Sequence, residues 1–141
     1  MKHRIALLVF LCISFNSIGF SQTLLIFGGD DHDVFLGCLN TNRYDSNSIW
    51  NPYGTYGSKY NSKSIWNQYG TYGGEYSSYS PFNPYASNPP VLVDKDGNFY
   101  GYFTANRYNP KRTRDKLALF IIENWEEIIE DVGEAYDVIF N

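Results

Sequence analysis

The chain has 141 residues, 43% of them hydrophobic and 18% aromatic, and carries a formal net charge of −4. That length holds one domain rather than two independently cored halves, and the composition is too apolar and too weakly charged for a disordered chain. Nucleic-acid binding, which favours a basic surface, is disfavoured from the start.

Lys2, His3 and Arg4 precede an apolar run from Ile5 to Phe15, with small residues at Gly19 and Ser21 beyond it. This is the three-part pattern of a secretory signal peptide over residues 1–21, cut after Ser21. The run is about half of what a bilayer-spanning helix needs, so no stable membrane insertion is expected after cleavage. A single secreted or periplasmic domain, residues 22–141, would remain. Removing Lys2 and Arg4 from the 11 basic residues leaves 9 against 15 acidic, a net charge of −6. Such a surface has no pull toward phosphate polymers or anionic membranes. Cys12 would leave with the signal, so Cys38 has no partner within the chain and is expected to be a buried small hydrophobe.

In the mature chain, Thr23–Phe27 and Val34–Asn40 are rich in branched and aromatic residues, and the polar Gly28 to Asp33 between them reads as a hairpin turn. A tandem repeat follows. Tyr44 to Lys59 (YDSNSIWNPYGTYGSK) matches Tyr60 to Glu75 (YNSKSIWNQYGTYGGE) at 11 of 16 positions, and Tyr76 to Val91 (YSSYSPFNPYASNPPV) is a degenerate third copy with Phe82 in place of Trp50 and Trp66. Nine of the 13 tyrosines fall in this array, residues 44–91. Self-similarity at a fixed period means one small unit stacked on its neighbours. Each copy is expected to form a short helical turn capped by Ser46 or Ser48, followed by glycine-containing turns.

A second hairpin is expected where Val91–Val93 and Phe99–Thr104 flank an Asp96-Gly97 step. Leu117, Phe120, Ile121, Trp125, Ile128 and Val132 recur at helical spacing, with Gly133 as the expected stop and Glu134 to Phe140 as a short continuation. Glu126, Glu127, Glu130 and Asp131 crowd the end of this helix, against the preference of its dipole. The fold class is therefore α+β: a small antiparallel sheet from two hairpins, a C-terminal helix packed on it, and a loop-rich three-copy repeat inserted between the hairpins.

The run DVFLGCLN (Asp33 to Asn40), the SIWN-x-YGTYG repeats, SPFNPYASNPP and VDKDGNFYGYFT together resemble a family of small, uncharacterised secreted or membrane-associated bacterial proteins, over about Asp30 to Arg114. The resemblance implies no activity. The family pattern places a second cysteine three residues after the first, where this chain has Thr41, so a two-thiolate metal or redox role is not carried over.

Asp31, His32 and Asp33, beside Asp30, are the densest set of candidate divalent-cation ligands, although a polar hairpin tip accounts for them equally well. Asp94 to Asn98 has the flavour of a calcium loop but reads better as a turn, and the helix acids read as a solvated face. No catalytic set and no required cofactor emerge. The repeat residues Trp50, Asn51, Tyr53, Tyr56, Trp66, Asn67, Tyr69, Tyr72, Phe82, Asn83 and Tyr85 combine flat rings with amides, the equipment of a ligand surface, unless the rings form the repeats' own core. The leading expectation is an exported, non-enzymatic module binding an envelope glycan or protein partner. A self-assembling envelope protein is one alternative, and a small metal-dependent hydrolase using the 30–33 turn is another.

Overall fold

A computed structural model describes residues 22–141; the expected signal peptide lies outside them. The first hairpin joins β1 (Leu25–Gly28) to β2 (Val34–Cys38), and the second joins β3 (Val91–Val93) to β4 (Phe99–Tyr102). The hairpins combine into one antiparallel sheet of order β2-β1-β3-β4, with Ile26 facing Leu92 across the central pair. The second turn forms as its sequence predicts. Gly97 takes the left-handed conformation (φ 85°), and the Asp94 carboxylate accepts the backbone N–H groups of Asp96 and Asn98 and the side-chain amide of Asn98. These bonds, the Asn98 amide foremost, hold the Asp94 carboxyl below its ordinary range.

The array contains no helical turn, contrary to expectation. Its backbone is a chain of linked turns in which Ser48 N–H donates to Asp45, Asn51 to Ser48, Gly54 to Asn51, Ser58 to Gly54 and Asn61 to Ser58. Four steps of three residues and one of four close the 16-residue period, and the next copy repeats them from Ser64 to Ser77. Side-chain oxygens pin the cadence. Ser48, Ser64 and Ser80 accept from the backbone N–H of Trp50, Trp66 and Phe82, two residues on, at 3.0, 3.1 and 3.1 Å. Serine and asparagine offer the backbone this alternative to a helix, which is why these copies turn rather than coil.

Each copy sends one large ring inward. Trp50, Trp66 and Phe82 form a spine, with centroids 5.7 and 5.9 Å apart, and both tryptophans are fully buried. Burial requires a partner for each indole N–H. Trp50 Nε1 donates to the Leu39 carbonyl (2.7 Å) and Trp66 Nε1 to the Ile49 carbonyl of the preceding copy (2.6 Å). On one side of the spine, Tyr56 meets Phe35 of β2 edge-on and Tyr72 lies against Gly28 of β1. On the other, Phe82 stacks on Trp125 (4.9 Å) while Trp50 meets Tyr136 and Phe140. The fold is α+β as expected, with the array as the layer through which sheet and helices share one core.

Both outer strands of the sheet are met by the chain that flanks them. The backbone of Cys38 bonds to Asn47 and Ile49, and that of Tyr102 to Lys111 and Thr113. Gly37 (φ 110°) and Gly101 (φ 100°) make this approach feasible: a Cβ on Gly37 would sit 2.7 Å from Tyr56 Cβ, and one on Gly101 would sit 2.6 Å from Thr113 Cα.

The C-terminal segment is two helices. α1 (Lys116–Ile128) starts at Asp115, whose carboxylate accepts the Ala118 N–H (3.0 Å), and kinks at Asn124. α2 (Val132–Phe140) starts at Asp131, which accepts the Glu134 N–H (3.0 Å). The expected stop at Gly133 is therefore misplaced: the helix breaks at 129–131, and Gly133 lies inside α2. Its missing side chain makes room for Arg43. A Cβ there would be 2.6 Å from the guanidinium, which donates to the Gly133 carbonyl (2.9 Å) and pairs with Asp137 (2.8 Å). Among the described residues no helix is long and apolar enough to cross a membrane.

Candidate functional site

The turn cadence that carries the tryptophans inward carries the tyrosines outward. Tyr53, Tyr69 and Tyr85 follow Asn51, Asn67 and Asn83, each asparagine Oδ1 accepting the N–H of the tyrosine two residues on at 2.9–3.0 Å. The amide Nδ2 atoms donate to the carbonyls of Asp45, Asn61 and Ser77. Both ends of each asparagine thus bond within its own copy, and these residues shape the array. Tyr44, Tyr60 and Tyr76 form a second register at the head of each copy. All six rings are between 82% and 97% exposed, and Tyr108, beyond the second hairpin, is equally bare.

The residues expected to form a ligand surface therefore divide. Trp50, Trp66 and Phe82 belong to the core, where Ile49 and Ile65 are buried with them. Tyr56 and Tyr72 are half-buried and turned toward the sheet. Tyr53, Tyr69 and Tyr85 are on the surface, and the equally exposed Tyr44, Tyr60 and Tyr76 join them. Their common 16-residue spacing groups Tyr44, Tyr60 and Tyr76 as a second register without giving its direction.

Exposed tyrosines border a groove between the array and the helix break. Its widest part, about 730 Å³, is lined by Tyr69, Glu75, Tyr76, Trp125, Glu126 and Glu130. A neighbouring compartment of about 380 Å³ has Lys59, Tyr60 and Tyr69 on the array side. A third, of about 220 Å³, continues past Tyr60 to Pro52 and Val132. Ile129 and Glu130 line all three compartments, which therefore lie side by side along the helix break. The helix break opens this wall, and it also gives the acidic crowding at the end of α1 a physical account. Asp131 caps the next helix, while Glu126 and Glu130 are exposed along the groove.

His32 and the aspartates of the 30–33 turn face separate surroundings. His32 lies at positive φ (53°) and places Nε2 3.0 Å from the Pro89 carbonyl, its ring edge-on to Tyr102. Asp30 accepts from the Tyr79 hydroxyl (2.8 Å) and the Asn88 amide (3.2 Å), and the first of these bonds raises the Tyr79 pKa. The shallow cavity beside the turn is lined by Asp30, Asp31 and Asp33 without His32. Among the described residues no three His, Cys, Asp or Glu side chains are grouped closely enough to hold a metal ion. Cys38 is buried, which pushes its thiol pKa up and away from thiolate reactivity. Comparison with protein-family models, with curated proteins and with solved structures finds no match for this chain.

Proposed function

We propose that the protein is an exported, non-enzymatic binding module that engages an envelope glycan or protein partner along the tyrosine groove. One observation carries the reading: the array keeps Trp50 and Trp66 wholly inside yet leaves six tyrosine rings more than four-fifths exposed, three of them, Tyr60, Tyr69 and Tyr76, beside a groove. Surface aromatics of this size, repeated in register, add nothing to the core and supply rigid contact area to a partner. A phenol also carries a hydroxyl for hydrogen bonding at the rim of such a contact.

The test is a glycan array together with an envelope-fraction pull-down, using purified protein and a variant combining Tyr60→Ala, Tyr69→Ala and Tyr76→Ala. Binding by the native protein that disappears in the variant, with unfolding midpoints equal, is the expected result. Capture that survives the triple substitution, or no capture in either screen, overturns the proposal.

A further inference from the structure

We propose that the occupant of this groove is a basic, extended polypeptide segment, with a lysine or arginine side chain seated between Tyr69 and Tyr76; this rests on the binding reading above and names its partner. Carboxylates stand on both walls of the widest compartment, Glu75 on the array and Glu126 and Glu130 on the helix side. Among the described residues none of the three forms an ion pair.

The array itself illustrates how a cation sits beside these rings. In the first copy the Arg43 guanidinium lies 5.5 Å from the centroid of the Tyr44 ring, and in the second the Lys59 ammonium lies 5.7 Å from that of Tyr60. Both distances suit a cation–π contact. In the third copy the residue preceding the tyrosine is Glu75, so the Tyr76 ring has an acid at the position from which its counterparts receive a cation. The compartment beside Tyr76 is also the largest of the three. An incoming cation would meet what Arg43 and Lys59 meet, with three unpaired carboxylates added. A neutral sugar would offer those carboxylates hydrogen bonds but no opposite charge. The adjoining compartments run on past Lys59 and Tyr60, so an extended segment fits them better than a lone amine does, with its positive charge at the Tyr76 end, away from Lys59.

The experiment titrates the purified protein with a lysine-rich decapeptide and, separately, with neutral oligosaccharides. Exposed ion pairs are individually weak and screened by salt, so Glu126→Gln with Glu130→Gln is expected to weaken peptide binding by up to roughly thirtyfold and to flatten its salt dependence. Tyr69→Ala with Tyr76→Ala should weaken it comparably. Asp31→Asn with Asp33→Asn removes the same charge away from the groove and should leave binding within about twofold, as should Tyr108→Ala. Equal losses in the two acid pairs would overturn the site, since net charge alone would then govern binding. Neutral glycan binding that survives the glutamine substitutions but is lost with the tyrosines would overturn the basic occupant while upholding the groove. No binding of either probe would overturn both.

Discussion

Replacing Trp66 and Tyr69, three residues apart in one copy, should give opposite results. Trp66 is fully buried and its indole N–H satisfies the Ile49 carbonyl at 2.6 Å, whereas Tyr69 is 97% exposed. Trp66→Ala opens a cavity worth about 3–5 kcal/mol and leaves that buried carbonyl without its donor. Trp66→Phe keeps most of the ring volume, so its cost isolates the lost hydrogen bond at about 1–3 kcal/mol. Tyr69→Ala removes a ring the fold does not use and should change stability by less than about 0.5 kcal/mol. Urea unfolding followed by circular dichroism reads all three. With a slope of about 1–3 kcal/mol per molar for a small protein, Trp66→Ala should lower the midpoint by more than about 1 M. Tyr69→Ala should leave it in place. A Tyr69→Ala loss equal to that of Trp66→Ala would refute the inward and outward division of the rings.

Three further outcomes follow from the same geometry. Asn67→Ala should destabilise by about 1–2 kcal/mol because it removes both the Tyr69 N–H acceptor and the Asn61 carbonyl donor, while Asn67→Asp, keeping only the acceptor, should fall between it and the native protein in the same urea assay. Arg43→Ala should cost about 1 kcal/mol and speed amide hydrogen exchange in α2 more than in the sheet, since it cuts the bonds to Gly133 and Asp137 that tie the last helix to the array. Burial raises the Asp115 pKa, so the native state holds that proton more tightly than the unfolded chain. The associated stability is present below the ordinary carboxylate range and is lost as pH rises through the raised native value. Asp115→Asn, which retains a capping oxygen, should flatten that part of the stability–pH curve, and a curve of unchanged shape would count against the assignment.

Elements specified by neighbouring residues were legible in the sequence. The Asp-Gly turn, the two hairpins and the stripe from Leu117 to Ile128 depend on local backbone chemistry, and each lies close to where its residues place it. Gly133 was misread because a glycine late in a helical pattern resembles a stop, and its real partner, Arg43, is 90 residues away in sequence. The array was legible as a period but not as a surface, because a 16-residue spacing is the same whether a ring points in or out. Direction comes from the three-residue cadence. The turns at Ser48, Ser64 and Ser80 deliver the ring two residues on to the spine, those at Asn51, Asn67 and Asn83 deliver theirs to solvent, and Ser58 also leads to an exposed ring, Tyr60, so place in the cadence and not the capping residue sets the direction. The groove could not be read at all, since it exists only where the Ile129–Asp131 break meets Tyr60, Tyr69 and Tyr76.

The bonds at Cys38 and Tyr102 bear on how this molecule can hold a polypeptide. Many extended ligands join a receptor by β-augmentation, adding one more strand to an open sheet and drawing affinity from main-chain hydrogen bonds. Here the backbone of each outer strand is already engaged at one end by the chain's own flanking turns, which leaves only a stub at either side and also blunts edge-to-edge aggregation. A segment bound as proposed would therefore be read through phenol rings and carboxylates rather than through a ladder. Recognition of that kind would fix one side chain rather than a row of backbone groups, and it would tolerate changes of sequence on either side of the residue seated between Tyr69 and Tyr76.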